Sequence, residues 1–538
     1  MASTTTPLGL LTYALALALA IALSSTARAA PYGGGSRPKP NYARANAVKR
    51  AFETSWNGYH EHAFPHDTLR PVSGTFEDDR NGWGVTVVDA LSTAIIMGEG
   101  RMINQMLDHI AGINFTTTQR ADDGISLFES NIRYLGGLIS GYDMLRGPMR
   151  SLVGDASKVD ALLAQAVRLA DSLSVAFDTP SGIPDPTVFL RPTRRHSGTS
   201  SNNIAEVGTL VLEWTRLSDL SGEPRYAALA QKAESYLLRP TGSPEAWPGL
   251  VGGDVSTRDG TFLNSNGGWS GGTDSFYEYL IKMYQYDPRA FAFYKERWVL
   301  AAESTMAHLA SHPTGRPDLT YLSQFAGQQT DPVSTHLASF AGGNFILGGV
   351  LLGNDTFVQF GLALARSYFN NYLHTPAGIG PEVFRWVDAA LPADASRNEP
   401  PPASQKDFYA RAGFYTTAGA YILRPETVES IYYAYRLTGD PTWQDMAWQA
   451  FQSITAVCGT GSAYAQLNDV MKPDGGGFID QMQSFWMAET LKYLYLIFAP
   501  ESDVQLQLQG AGTSQFVFNT EAHPIRVREE GPRYDEYL

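Results

Sequence analysis

The stretch "YRLTGDPTW", residues 435–443, reads as the end of one helix, a tight turn and the start of the next. Gly439 suits the left-handed position just past a helix end, and Pro441 suits the first turn of the following helix, where its missing N–H costs nothing. The same signature stands earlier, in "TRLSDLSGEPRY", residues 215–226, with Gly222 and Pro224 in the corresponding roles. Two copies so far apart leave room for several more helical hairpins between them. Such hairpins must either run as an open solenoid or close on themselves, and periodicity alone leaves both open.

Outward from these turns the chain is a series of helical patterns. In "ESNIRYLGGLISGYDML" the apolar Ile132, Leu135, Ile139 and Tyr142 recur at helical spacing, and Gly136 with Gly137 predicts the close approach of another helix. In "AETLKYLYLIF" Leu491, Leu494, Tyr495 and Phe498 do the same. Period-2 strand patterns are scarce. The Pro-rich segment from Asp388 to Asp407 reads as an exposed loop within one helical domain, residues 42–524, between a Gly, Pro and Ser linker, 31–41, and a charged tail, 525–538.

A core of this size is supported by composition: of 538 residues, 43% are hydrophobic and 12% aromatic, which excludes disorder for the bulk of the chain. The net charge of -14 argues against a nucleic-acid partner, whose phosphates call for clustered Lys and Arg. The apolar run from Leu8 to Leu23, followed by Ala27-Arg28-Ala29, has the form of a signal peptide, residues 1–30, although the basic residues that usually precede the run are missing. Secretion is therefore expected, with the secretory pathway or vacuole as alternatives and no stable membrane association after cleavage. Cys458 is the only cysteine, so no intrachain disulfide forms; the triplets at Asn114 and Asn354 fit a secreted glycoprotein.

Several chemistries lack their residues. "HEHAFPHD" brings His60, His62 and His66 together, but no Cys lies nearby and no His-Glu-x-x-His helix is formed, so zinc is not expected. "GTGSAYA" has no phosphate-binding lysine, and no G-x-S-x-G elbow occurs. What remains is a set of carboxylates within apolar or aromatic helical patterns: Glu129, Glu206, Asp274, Glu278, Glu382, Glu426, Glu429, Glu489 and Glu521. Any one alone reads as a helix cap or an ion pair with Arg133 or Arg424. Together, beside Phe, Tyr and Trp, they suit a sugar cleft in which paired carboxylates hydrolyse a glycosidic bond.

In order along the chain, "SWNGYHEHAFPHDTLRP", "GWGVTVVDALSTAIIMG", "FESNIRYLGGLISGYD", "AEVGTLVLEWTRLSDLSG", "GGTDSFYEYLIKMY", "GIGPEVF", "YILRPETVESIYYAYRLTGD", "SFWMAETLKYLYLIF" and "FVFNTEAHP" resemble the signature segments of the class I α-1,2-mannosidases, glycoside hydrolase family 47, most nearly the secreted fungal branch. The resemblance runs from about Tyr42 to Pro524. It implies an all-α fold, an (αα)7 barrel closed by a C-terminal β-hairpin, and a monomer whose partner is a high-mannose N-glycan. It further implies Ca2+ as cofactor, with Thr520 as its protein ligand, a hard cation that prefers oxygen donors. Carried over residue by residue, Glu129 matches the general acid, Glu426 the general base, Asp274 a third acid, and Glu382 a residue sometimes described as the proton donor. Arg133, Glu206, His336, Arg424, Glu429, Phe485, Glu489 and Glu521 match positions that hold the sugar or tune the carboxylates.

Two departures stand out. Ser339 and Ser367 occupy the positions where the family commonly carries a disulfide, and Thr335 stands before His336 where other branches place an acidic residue. The expected activity is inverting, calcium-dependent exo-hydrolysis of terminal α-1,2-linked mannose. The competing readings are a mannosidase-like glycan-binding module with weak hydrolysis in glycoprotein quality control, and a helical-barrel glycosidase for another sugar.

Overall fold

Two kinds of helix alternate along the chain in the computed structural model, which describes residues 36–241, 245–392, 395–510 and 513–528. The first kind is amphipathic: α1 (Tyr42–His62), α3 (Gly100–Gly112), α5 (Ala156–Leu173), α7 (Arg225–Leu238), α9 (Ala292–Ser304), α11 (Asp355–His374) and α13 (Pro441–Cys458). In α3, for example, Met102, Ile103, Met106, Leu107 and Ile110 form one buried stripe. The second kind is apolar on nearly every side: α2 (Val85–Met97), α4 (Gly136–Arg146), α6 (Val211–Ser221), α8 (Asp274–Tyr286), α10 (Ala341–Leu352), α12 (Glu426–Thr438) and α14 (Leu491–Phe498). In α2 every residue but Ile96 is buried. In α8 and α12 even the charged Glu278, Lys282, Glu426, Glu429 and Arg436 are buried, so the even helices form an inner ring and the odd ones an outer ring.

The inner ring closes. Each even helix packs on the next, from α2 through α14, and α14 packs back on α2, which decides between solenoid and barrel in favour of the (αα)7 barrel. Four of the six turns from inner to outer helix repeat one device. Gly222 and Gly439 take the left-handed conformation past α6 and α12, with φ of 76° and 61°, and Pro441 opens α13 behind the Asp440 cap. The turns at Gly98 and Gly353 do the same without a proline, which is why the sequence signature shows only two of the four.

The C-terminal hairpin, Phe516–Phe518 against Pro524–Arg526, enters this ring and packs on α4 and α8. Gly136 is what admits it: a Cβ there would lie 2.5 Å from Asn519 Nδ2. The close approach expected of a helix at Gly136 is thus made by the hairpin, while Gly137 takes Val88 of α2. The charged tail also begins later than expected at 525. Ile525 is fully buried, Arg526 lies in the strand, and Arg528 pairs with Asp219 and Asp287, so these residues belong to the barrel. The expected signal peptide lies outside the described residues. Among the described residues no helix is long and apolar enough to cross a membrane.

Ser339 and Ser367 are buried and each is satisfied by hydrogen bonds of its own. Ser339 Oγ donates to the His336 carbonyl at 2.5 Å, and Ser367 Oγ accepts the Thr320 N–H at 2.8 Å. With Cys458 buried and alone, dithiothreitol should leave the melting temperature unchanged; a fall of several degrees in a thermal scan would contradict this.

Candidate active site

The inner helices all begin at one end of the barrel, and the carboxylates cluster there. Glu129 and Glu206 sit just before α4 and α6, Asp274 and Glu426 are the first residues of α8 and α12, and Glu489 lies in the turn that leads into α14. Unpaired backbone N–H groups at a helix start favour nearby negative charge, so convergent helix starts make a place where several carboxylates can coexist. The hairpin enters from the opposite end and stops beneath them. The result is a blind cavity of about 320 Å3 with Thr520 and Glu521 among its lining residues.

Eleven of the thirteen residues carried over from the family line this cavity: Glu129, Arg133, Glu206, Asp274, Arg424, Glu426, Glu429, Phe485, Glu489, Thr520 and Glu521. His336 and Glu382 do not. They contact lining residues: His336 Nδ1 lies 2.6 Å from Glu426 Oε2, and Arg424 Nε donates to Glu382 Oε1 at 2.6 Å.

Arg133 ties one wall to the floor. Its Nε donates to Glu129 Oε2 at 2.6 Å, and its Nη1 donates to Glu521 Oε1 at 2.5 Å and to Ser484 Oγ at 3.1 Å, while Phe485 stacks over the guanidinium at 5.5 Å. Behind it the buried Asp89 accepts from Arg133 Nη1 and faces His523 Nε2 at 3.2 Å. Asp89, Ser484 and His523 escaped sequence reasoning. Asp89 lies inside the apolar run of "GVTVVDALSTAII", and a lone acid in a helix with no polar face was the signal available.

The electrostatics sort the carboxylates. Burial raises the pKa of every one, and the cations decide where it settles. At Glu426, His336 and Arg424 outweigh burial and hold the group below the usual range, ionised. At Glu129, burial is outweighed by Arg133 and Arg80. At Asp274, burial prevails with help from Glu278 and Glu426, against the Ser275 N–H and Arg424, and the group is pushed up to about 6. Burial and neighbouring acids push Glu489, Glu429 and Glu521 upward as well, against the cations beside them.

A cation fits this floor. The hydroxyl and carbonyl oxygens of Thr520 take no hydrogen bond from any described residue, and they adjoin a group of buried carboxylates that burial and mutual repulsion keep from ionising. Among the described residues no set of three or more His, Cys, Asp or Glu is arranged to hold a metal by itself, so the donors on offer are the oxygens of Thr520.

Two outcomes follow. Arg133→Met would strand Glu129, Glu521 and Asp89 without their shared cation, at a cost of about 3–5 kcal/mol, measurable by urea unfolding. Glu213, on α6 beneath the floor, is pushed by burial to about 7 against hydrogen bonds from Tyr279 and Asn519. A raised carboxyl adds stability that is present below its unfolded value and lost as pH rises through the folded one. The stability of wild type relative to Glu213→Gln should therefore fall between about pH 4.5 and about pH 7; a difference that is flat or rises with pH would contradict the assignment.

Comparison with known proteins agrees with this fold. The family model for glycosyl hydrolase family 47 matches residues 51–527. The chain is 52% identical over 489 residues to a probable mannosyl-oligosaccharide alpha-1,2-mannosidase 1B of Aspergillus clavatus, covering 90% of this chain and 93% of that one. It is 50% identical over 493 residues to the mannosyl-oligosaccharide alpha-1,2-mannosidase of Penicillium citrinum, covering 91% and 93%. The solved alpha-1,2-mannosidase from Trichoderma reesei superposes with a TM-score of 0.89 at 62% identity, covering 91% of this chain and all of the other.

Proposed function

The chain belongs to glycosyl hydrolase family 47, and we propose that it removes terminal α-1,2-linked mannose from high-mannose N-glycans by inverting, calcium-dependent exo-hydrolysis. The observation that carries this reading is the blind, carboxylate-lined cavity. A pocket stopped by the hairpin accepts the end of a glycan branch and has no exit for a chain to pass through, which favours exo cleavage.

Inversion in one step needs a base that is ionised and an acid that holds a proton. Glu426, kept ionised by His336 and Arg424, suits the base that takes a proton from the attacking water. Asp274, at about 6, retains a proton in the weakly acidic range and suits delivery of that proton to the leaving oxygen. The resemblance gives the acid's role to Glu129, but Arg133 and Arg80 hold that carboxyl ionised at rest, so it suits orienting the leaving side while Asp274 supplies the proton. Phe485 offers an aromatic face to the sugar, and Arg424 offers donors beside Glu426. Thr520 would hold Ca2+ through its hydroxyl and carbonyl oxygens; when bound, the ion polarises oxygens of its sugar and water ligands. The expected setting is secretory or extracellular.

The experiment is to follow a high-mannose N-glycan by mass and by proton NMR. Stepwise loss of single hexoses, with β-mannose as the first anomer, is expected, and EDTA should abolish turnover until calcium is restored. An initial α anomer would overturn inversion. Binding without turnover would point instead to a glycan-recognition module.

A further inference from the structure

The tip of the hairpin is held far more elaborately than a plug requires. Asn519 is its hub. The side-chain Oδ1 accepts the N–H groups of Glu521 at 3.0 Å and His523 at 2.8 Å, and Nδ2 donates to the Ile132 carbonyl at 3.0 Å and to Glu213 Oε1 at 2.8 Å. Two buried lysines then grip the main chain on either side of Thr520. Lys282 of α8 donates to the Asn519 carbonyl at 3.4 Å, and Lys492 of α14 donates to the Ala522 carbonyl at 2.6 Å.

Both amino groups are out of water, at 1% and 0% exposure, where charge is costly to bury: Lys282 needs Glu278 as its counter-ion, and burial pulls Lys492 down to about 7. An apolar tip would fill the barrel without that cost. Ala522 is also a non-glycine residue at φ of 57°, a left-handed conformation that persists only where its surroundings impose it. The Thr520 N–H is fixed as well, donating to the Tyr279 hydroxyl at 3.2 Å, which in turn donates to Glu213 at 2.6 Å. Apart from the Glu521 carbonyl, the backbone groups flanking Thr520 are thus committed to the hairpin and the inner helices, and the two oxygens of Thr520 take no hydrogen bond from any described residue.

We propose that Asn519, Lys282 and Lys492 are positioning residues that lock the hairpin tip so that Thr520 presents both its oxygens to a calcium ion at the cavity floor. This rests on the calcium reading above and extends it to residues that touch neither ion nor sugar. It has a consequence opposite in sign to simple electrostatics. If Lys492 acted on the site only through its charge, removing that charge would make the floor more negative and calcium would bind more tightly. If Lys492 acts by holding the Ala522 carbonyl, removing it lets the turn relax and calcium binds more weakly.

The test is calorimetric titration of the intact apo-protein with calcium chloride, beside its Lys492→Met variant, whose thioether fills the space of the lysine chain. The melting temperature of each apo-protein is measured in parallel. Weakening by about 10–100-fold, the range typical when a group behind a metal ligand is lost, is expected for Lys492→Met. Unchanged or tighter binding overturns the proposal. Should Lys492→Met not fold, Asn519→Asp decides in the same way, since it keeps the acceptor, removes both Nδ2 donors and adds negative charge: weaker binding supports positioning, equal or tighter binding overturns it. No calcium binding by the wild-type protein would overturn the calcium reading itself and this inference with it, whereas binding by wild type with variants unaffected would overturn the inference alone.

Discussion

Closing seven inner helices into a ring leaves an axial space that their own side chains do not fill, and the rest of the molecule depends on how that space is occupied. Here the final hairpin of the chain fills it from one end and stops partway. The unfilled remainder is the cavity, so the depth of the site is set by where the turn at Asn519–His523 comes to rest. The glycine at 136 has the same origin, because a side chain there would hold the hairpin off.

A polar tip buried in a helical ring creates a hydrogen-bonding problem that the ring solves with charges. Arg133, Lys282 and Lys492 come from segments buried on nearly every side, and each meets the hairpin or its glutamate. Unpaired, any of them would be severely destabilising, and paired, they hold one arrangement out of many. Arg133, with Arg80, also holds Glu129 ionised, so at that acid structural support and chemical tuning share a group, whereas Glu426 is held by His336 and Arg424. Asp274 and Glu426 are each the first residue of an inner helix, α8 and α12, and their surroundings separate them: Glu278 and Glu426 beside the one, His336 and Arg424 beside the other.

The alternation of helices, the turns at Gly222 and Gly439, and the membership of most of the cavity wall could be read from residues alone, partly from pattern and partly from family likeness. Local chemistry was sufficient there: a left-handed glycine ends a helix wherever it stands, and a carboxylate in an apolar stretch calls for a reason. Pattern did not distinguish a solenoid from a ring, because each hairpin looks the same to its neighbours in either; what differs is the closing contact of α14 with α1 and α2. It also could not pair Glu382 with Arg424, nor identify Asp89, Lys282 and Lys492, since their partners lie on other elements, from tens to hundreds of residues away. What the sequence by itself determined was which segments are helices, which of them must be enclosed and which acids need explaining, because those are properties of short stretches in water. What only the tertiary structure decided was closure, the depth of the cavity and the protonation preference of each acid, because those depend on distances between charges that are remote along the chain.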